Sequence, residues 1–199
     1  MPRIIAGSRG SRRIEAPSGA QTRPTSDRVR EALFARVDAL TEVAGARLLD
    51  LYAGSGALAL EGLSRGAAHA TLVEKAKGAL TVCRRNAAAL GFAGACEIVA
   101  ADVTAWLATA EPRRYDLVLA DPPYARPVSD DLTSLVTRGW LAPDALVVVE
   151  RATRDGAVDW PAGLTPLRSR RYGDTTVHYA RYAPDAAGPD AAEPGRSEV

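Results

Sequence analysis

Continuous apolar runs alternate with amphipathic stretches over most of the chain. Runs of five or six residues, rich in Leu, Val and Ala, predict strands at 47–52, 70–74, 97–101, 115–120 and 145–150. Helical spacing of apolar positions predicts helices at 58–65, 77–90, 103–110 and 128–138. Strands that are apolar throughout, separated by helices, indicate a parallel sheet covered on both faces. The pattern therefore predicts an α/β fold.

The two ends of the chain depart from this alternation. Residues 166–172 and 176–182 read as two strands joined at Gly173 and Asp174 with no helix between them, which predicts an antiparallel C-terminal hairpin. Residues 3–6 and 12–16 read as a small N-terminal β-hairpin around a Gly-Ser-Arg-Gly turn.

A helix is expected between the N-terminal hairpin and the first strand of the sheet. It has apolar positions at Val29, Leu33, Val37 and Leu40, an N-cap at Thr25 or Ser26, and an end at Gly45. The predicted division of the chain is therefore an N-terminal hairpin and helix (1–44), a main domain (45–183) and a disordered acidic tail (184–199).

Composition narrows the class of protein. The 199 residues are 47% hydrophobic and 25% charged, and no apolar run reaches the roughly 18 residues that span a bilayer. No apolar signal segment begins the chain, so we expect a cytoplasmic protein without a membrane partner. Cys83 and Cys96 are expected to be free thiols, and His69 and His178 lack a second ligand at metal spacing, so no metal site is predicted.

Charge is distributed unevenly along the chain. Residues 1–36 hold eight arginines against three acidic residues, whereas the last sixteen residues hold four acidic residues against one arginine. A basic N-terminus is a candidate contact for a polyanion, and a merely solvated segment is the alternative interpretation.

Glycine and acidic residues follow the predicted strands at ligand-binding positions. The first strand runs into Asp50-Leu-Tyr-Ala-Gly-Ser-Gly56, and Glu74 and Asp102 follow the next two strands. Carboxyl ends of parallel strands meet at one edge, where a glycine turn admits a ligand, one acid can meet a cationic amino-acid group and another can accept ribose hydroxyls. Dinucleotide binding is the alternative. The predicted cofactor-binding residues are Asp50, Tyr52, Gly54, Ser55, Gly56, Glu74, Asp102 and Val103.

The fourth strand ends in Asp121-Pro122-Pro123-Tyr124, the predicted catalytic segment. The prolines have no N–H, so the segment offers hydrogen-bond acceptors, and the tyrosine ring can stack on an extruded base. Acceptors on both hydrogens of a base amino group would orient its nitrogen for attack on an electrophile. An ordinary proline-rich turn is the alternative interpretation of this tetrapeptide alone.

Together these motifs resemble the class I S-adenosylmethionine-dependent methyltransferases that modify amino nitrogens. More narrowly, Arg3-Ile-Ile-Ala-Gly, the segment from Thr22 to Phe34 and the segment from Leu49 to Glu61 resemble bacterial 16S ribosomal RNA guanine-N2 methyltransferases. The resemblance implies a Rossmann-like, seven-stranded sheet, S-adenosylmethionine as cofactor and a target-base site at residues 121–124. It also implies that the basic N-terminus docks on RNA.

The expected partner is 16S rRNA in the small ribosomal subunit or a late assembly intermediate, bound by a monomer with no obligate protein partner. Two alternatives stay open: a DNA methyltransferase acting on adenine N6 or cytosine N4, and a catalytically silent RNA-binding protein. The predicted RNA contacts are Arg23, Arg28 and Arg30 in the matched segment, and Arg9, Arg12 and Arg13 from charge alone.

Overall fold

Seven strands form one sheet in the computed structural model, which describes residues 2–17, 27–123 and 127–184. The order across the sheet is β3-β2-β1-β4-β5-β7-β6. Strands β1 to β5 are parallel to one another, while β7 lies antiparallel between β5 and β6. The predicted fold class and the antiparallel C-terminal hairpin are thus confirmed. The strands are β1 (Arg47–Leu51), β2 (His69–Glu74), β3 (Cys96–Ala100), β4 (Tyr115–Ala120), β5 (Leu141–Ala152), β6 (Leu164–Tyr172) and β7 (Thr175–Tyr182).

Helices cover both faces of this sheet. They are α1 (Asp27–Leu40), α2 (Ala57–Ser64), α3 (Lys77–Ala89), α4 (Val103–Thr109) and α5 (Ser129–Thr137). Alternate residues of each strand enter different cores: Leu48 packs with α1, α2 and α3, whereas Leu49 packs with α4 and α5. Because both faces are buried, the strands are apolar throughout, as their sequences indicated.

The order of connection reverses at the middle of the sheet. The chain proceeds outward from β1 to β2 and β3, then returns to place β4 on the other side of β1. Loops that follow β1 and β4 therefore diverge to opposite faces and leave a crevice at the carboxyl ends of these strands, the usual ligand position in such sheets.

Several element boundaries differ from the sequence predictions. Helix α1 ends at Leu40 rather than Gly45, which instead adopts φ +77° in the turn before β1 and donates its N–H to the Gly66 carbonyl. The N-terminal pairing is antiparallel but is limited to one bridge between Arg3 and Arg13, with a short 3-10 turn at Gly7–Arg9. The N–H groups of Ile5 and Ala6 are bound by Glu61 and that of Glu15 by Asn86, so the pairing does not extend and the predicted strands are not formed.

The N-terminal segment is attached to the main body through a buried carboxylate. Glu61 of α2 is fully buried and accepts the backbone N–H groups of Ile5 (2.6 Å) and Ala6 (3.0 Å). Arg65 donates to the same carboxylate at 2.8 Å, and Nε of Arg30 lies 3.9 Å from it. The first residues of the chain are therefore held by a charged group inside the protein.

Free thiols are present at both cysteines. Cys83 is fully buried, and burial raises its pKa to about 12; Cys96 is half-buried, and burial raises its pKa to about 11. Neither thiol is therefore a nucleophile near neutral pH.

No helix within the three described ranges is both long and apolar enough to cross a bilayer. The predicted cap at Thr25 or Ser26 and nearly all of the predicted disordered tail lie outside the described residues. The division into three parts stays a prediction, although Ile4 and Ile14 pack in the same core as α2 and α3.

Candidate active site

The carboxyl ends of the central strands are joined by backbone hydrogen bonds beyond the last paired residues. The N–H of Asp121 donates to the Leu51 carbonyl (3.4 Å), and the N–H of Ala53 donates to the Val73 carbonyl (3.1 Å). Ala101 donates likewise to the Glu74 carbonyl (3.0 Å). The segments that follow β1, β2, β3 and β4 therefore begin at one edge, as the sequence analysis required for a shared site.

The two glycines of the loop after β1 have different roles. A Cβ on Gly56 would lie 2.9 Å from Sγ of Cys83 and 3.1 Å from Cδ2 of Leu72, so this glycine allows the start of α2 to pack closely. A Cβ on Gly54 would meet nothing nearer than the Tyr52 carbonyl oxygen at 3.9 Å. Both have positive φ, and the open space beside Gly54 is where a ligand can approach the backbone.

Asp50 lies beneath this loop. Its side chain is buried, and Oδ2 accepts the N–H of Ala59 at 3.0 Å near the start of α2. Burial raises the pKa of Asp50 to about 8; the Ala59 hydrogen bond lowers it, and the charges of Asp121 and Glu74 raise it further. Oδ1 has no hydrogen-bond partner. It is the oxygen available for the predicted contact with a cationic group, which stays a prediction.

Glu74 connects the end of β2 to the glycine loop. Its Oε2 accepts the N–H of Gly54 (2.9 Å), and its Oε1 accepts the N–H groups of Lys75 (2.8 Å) and Ala76 (2.7 Å). A carboxylate has about four lone-pair directions, so these three bonds leave room for roughly one more donor. A second ribose hydroxyl could bind Glu74 only by displacing one of these backbone N–H groups. The sequence alone did not reveal that these three bonds occupy the carboxylate.

Asp102 and Val103 begin α4. Asp102 caps the helix by accepting the N–H of Ala105 (3.4 Å) and pairs with Nζ of Lys75 at 3.1 Å. The Val103 side chain is 2% exposed within the core, so only its backbone is available to a cofactor. The Ser55 carbonyl accepts the Asn86 amide at 2.9 Å. That these residues bind a cofactor stays a prediction.

Tyr52 is held from the opposite side of the crevice. Its hydroxyl donates to Oδ2 of Asp131 in α5, and Oδ1 of Asp131 accepts the hydroxyl of Thr104 in α4 at 2.5 Å. Tyr52 has φ +65°, a conformation that a bulky residue adopts at a cost of about 1–3 kcal/mol, and Asp131 is 3% exposed. Because the hydroxyl is used by Asp131, a cofactor contact at Tyr52 would involve the ring.

Asn86, like Asp131, is a buried residue that the sequence analysis did not identify. It is 2% exposed, and its amide nitrogen donates to the carbonyls of Ser55 (2.9 Å) and Glu15 (3.0 Å). Its Oδ1 accepts the Glu15 N–H at 2.8 Å. One side chain thus joins the N-terminal segment to the glycine loop. Its partners are 31 and 71 residues away in the chain, so no local signal marked it.

The start of the predicted catalytic segment lies at the crevice. Asp121 and Pro122 are half-buried and Pro123 is exposed, while Tyr124 lies outside the described residues. The charge of Asp121 contributes to the raised pKa of Asp50, so the two carboxyl groups are electrostatic neighbours. The structure therefore brings Asp50, Glu74 and Asp121 together.

The predicted RNA-contacting arginines separate into different environments. Arg30 is 1% exposed, donates to Oδ1 of Asp27 (2.8 Å) and to the Arg3 carbonyl, and lies beside Glu61. The prediction that it contacts RNA is therefore wrong: it is a buried structural arginine. Arg28 is exposed, whereas Arg23 lies outside the described residues.

Arg9, Arg12 and Arg13 lie on the N-terminal segment. Arg9 is half-buried, donates to the Leu90 carbonyl at 2.7 Å and stacks over Phe92, with 5.3 Å from its guanidinium carbon to the ring centre. It therefore fixes the segment to the end of α3. Arg12 and Arg13 are exposed and accessible to a polyanion.

Comparisons with known proteins identify the family of this chain. A family model described as Conserved hypothetical protein 95 matches residues 2–181. The ribosomal RNA small subunit methyltransferase D of Escherichia coli K12 is 36% identical over 96% of this chain and 94% of its own length. The protein of the same name from Haemophilus influenzae is 31% identical over 90% of this chain and 92% of its own.

Solved structures share the fold. The Escherichia coli protein yhhF superposes with a TM-score of 0.82 at 32% identity, covering 92% of this chain and 98% of that one. An RNA methyltransferase from Salinibacter ruber, solved with S-adenosyl-L-homocysteine, has a TM-score of 0.62 at 21% identity, covers 86% of this chain and all of that one, and supports the fold alone. By the extent of these matches, the chain belongs to the family described as Conserved hypothetical protein 95, which it shares with ribosomal RNA small subunit methyltransferase D.

Proposed function

We propose that this chain transfers a methyl group from S-adenosylmethionine to the exocyclic N2 of a guanine in 16S rRNA. The observation that carries the proposal is the hydrogen bond from Asp121 to Leu51, because it holds Asp121, the first residue of the Asp-Pro-Pro-Tyr motif, beside the strand that leads into the glycine loop. The relatives named as small subunit rRNA methyltransferases, aligned over nearly the whole chain, support the choice of substrate.

The crevice fits S-adenosylmethionine on three grounds. The space beside Gly54 is open, Oδ1 of Asp50 is buried without a partner, and Glu74 has an acceptor direction left for a ribose hydroxyl. The carboxyl groups of Glu74 and Asp121 favour a cationic ligand over a dinucleotide, whose pyrophosphate they would repel. When bound, S-adenosylmethionine supplies an electrophilic methyl group on a positively charged sulfonium.

The residues of β4 and its loop act on the target base. The Asp121 carboxylate accepts an N–H of the amino group and so orients the nitrogen towards the methyl group. Positive charge develops on the nitrogen during transfer, and a fixed carboxylate stabilises it more than mobile water does. Pro122 and Pro123 offer only carbonyl oxygens, so no backbone donor of theirs competes for the lone pair. Tyr124 supplies the ring on which the base stacks.

The test compares methyl acceptors directly. Purified protein is incubated with methyl-labelled cofactor and small ribosomal subunits from a strain lacking the gene, protein-free 16S rRNA, or duplex DNA. We expect label in the rRNA. Asp121→Asn should abolish transfer while cofactor binding, measured by calorimetry, is retained; Asp159→Asn, an exposed carboxyl change away from the crevice, should do neither. Label in DNA but not in subunits would overturn the proposal.

We further infer that the substrate is the small subunit or a late assembly intermediate, and that the enzyme acts as a monomer in the cytoplasm. Helices of the same chain cover both faces of the sheet, so the core is completed without a second copy. Sedimentation velocity at micromolar concentration should give a single species near the 20.9 kDa of one chain. A stable dimer would contradict this inference.

A further inference from the structure

The outer strand of the sheet carries a row of arginines that the site does not use. Strand β6 contains Arg168, Arg170 and Arg171 and no acidic residue. Arg168 and Arg171 are exposed and Arg170 is half-buried. Among the described residues, none of these three side chains, called here the β6 arginines, forms an ion pair with a carboxylate.

Strand register places the β6 arginines at the level of the target-base site. Arg170 pairs with Val177 of β7, and Val177 pairs with Glu150 of β5. Val149 pairs with Ala120, the residue before Asp121, so Glu150 is level with Asp121. Arg170 therefore lies level with Asp121 and three strands away, about 14 Å at the usual strand spacing.

Arg151 of β5 extends this basic surface. Thr176 of β7 pairs with Arg151 on one side and Arg171 on the other, so both arginines lie on the same face of the sheet. Arg151 donates to the Ala157 carbonyl (3.3 Å) and Arg171 to the Gly173 carbonyl (3.0 Å). Neutral carbonyls orient the guanidinium groups without cancelling their charge.

Acidic residues nearby offset this surface only in part. Glu150 is 7% exposed, and Asp155 lies 3.9 Å from Arg154. Asp174 is exposed in the turn between β6 and β7. The outward charge of β6 itself is therefore positive along its length.

We propose that the outer edge of the sheet formed by the β6 arginines, together with Arg151 on the face of Arg171, is a second contact surface for phosphates of the rRNA substrate. The inference rests on the proposed function, because it places the RNA around a base held at Asp121. A span of about 14 Å corresponds to roughly four stacked nucleotides of one strand, so phosphates close to the target base reach this surface. Guanidinium groups bind phosphate oxygens in pairs and suit this role. The RNA then spans the site between this surface and the N-terminal Arg12 and Arg13.

Arginines on an edge strand also discourage pairing between copies of a protein. The two roles predict different consequences. Loss of a phosphate contact weakens RNA binding and lowers its salt dependence, whereas loss of edge protection causes self-association with unchanged RNA affinity.

The experiment replaces two exposed arginines in each of two places. Arg168→Gln with Arg171→Gln removes two charges from β6; the control, Arg113→Gln with Arg114→Gln, removes two exposed charges just before the central strand β4, at its amino end. Binding to small subunits from the deletion strain is measured between 0.05 and about 0.3 M salt. For the β6 variant we expect the dissociation constant to rise about tenfold and the salt slope to become shallower by about 1–2, with cofactor affinity unchanged.

Each result decides between the possibilities. If the β6 variant binds subunits with the affinity and salt slope of the Arg113/Arg114 variant, while the unmodified protein methylates them, this inference fails and the proposed function stands. If the unmodified protein methylates no subunit, the proposed function itself fails. Self-association of the β6 variant with full RNA affinity assigns the arginines to edge protection and overturns the inference.

Discussion

Replacing Glu61 by glutamine removes one buried charge while the side-chain volume is nearly conserved. Glu61 is fully buried and Arg30 is 1% exposed, so neither group is solvated when its partner is lost. Breaking a buried ion pair by removing one partner costs about 3–5 kcal/mol. Arg30 still pairs with Asp27 at 2.8 Å, which favours a cost at the lower end of this range. The glutamine side chain, however, offers fewer acceptor positions than the carboxylate to Arg65 and to the two backbone N–H groups.

We therefore expect Glu61→Gln to lower the free energy of unfolding by about 3–4 kcal/mol. For a chain of this length that corresponds to a fall in melting temperature of about 10 °C. Calorimetry or urea titration measures the change. Amide exchange at Ile5 and Ala6 should accelerate as well, because their acceptor is weakened.

Glu97→Gln is the matched control. Glu97 also pairs with an arginine, Arg113, but the two side chains are 41% and 54% exposed. An exposed pair contributes about 0–1 kcal/mol, so this variant should melt within a few degrees of the unmodified protein. If Glu61→Gln melted at the same temperature as Glu97→Gln, the reasoning that a buried carboxylate anchors the N-terminal segment would be refuted.

Four further substitutions test the crevice. Asn86→Asp keeps an acceptor for the Glu15 N–H but cannot donate to the Ser55 carbonyl, so calorimetry should show about tenfold weaker cofactor binding, and unchanged affinity would separate Asn86 from the loop. Asp50 has a pKa of about 8 when folded against 3.8 for the free group, so the folded state retains a proton that the unfolded state releases, and stability should fall between pH 4 and 8. Asp50→Asn should flatten that fall in urea titrations at pH 5 and 8, and parallel pH profiles would contradict the assignment. Gly56→Ala should lower the free energy of unfolding by about 2–4 kcal/mol in urea titration, because its Cβ meets Cys83 and Leu72. Gly54→Ala should mainly weaken cofactor binding, because the space beside it is open. Equal losses of stability in the two variants would contradict the different roles assigned to these glycines.

Alternation of apolar strands and helices was sufficient to predict the sheet. Strands such as β4, in which four successive residues are buried, have no polar face that could support a different arrangement. The glycine loop and the acids after β1, β2 and β4 were predictable for the same reason, because parallel strands bring their carboxyl ends to one edge. The resemblance added the target and the cofactor, which the residues alone left open.

Long-range polar contacts could not be predicted. Arg30 lies in a basic segment and reads as an RNA contact, but its burial depends on Glu61, 31 residues away, and on the path of the first residues of the chain. Asp131 follows a serine and another acid in the first turn of α5, yet it is buried and binds Tyr52 and Thr104. Such pairs form only once the helices have packed, so periodicity and local spacing carry no record of them.

The proposed reaction at the crevice is methylation of a guanine amino group in 16S rRNA. Its most direct test is mass-spectrometric mapping of modified nucleosides in 16S rRNA from a strain lacking the gene, complemented with either the unmodified gene or Asp121→Asn. We expect one N2-methylguanosine to disappear on deletion, to return with the unmodified gene and to stay absent with the variant. An unchanged set of 16S rRNA modifications after deletion would contradict the account.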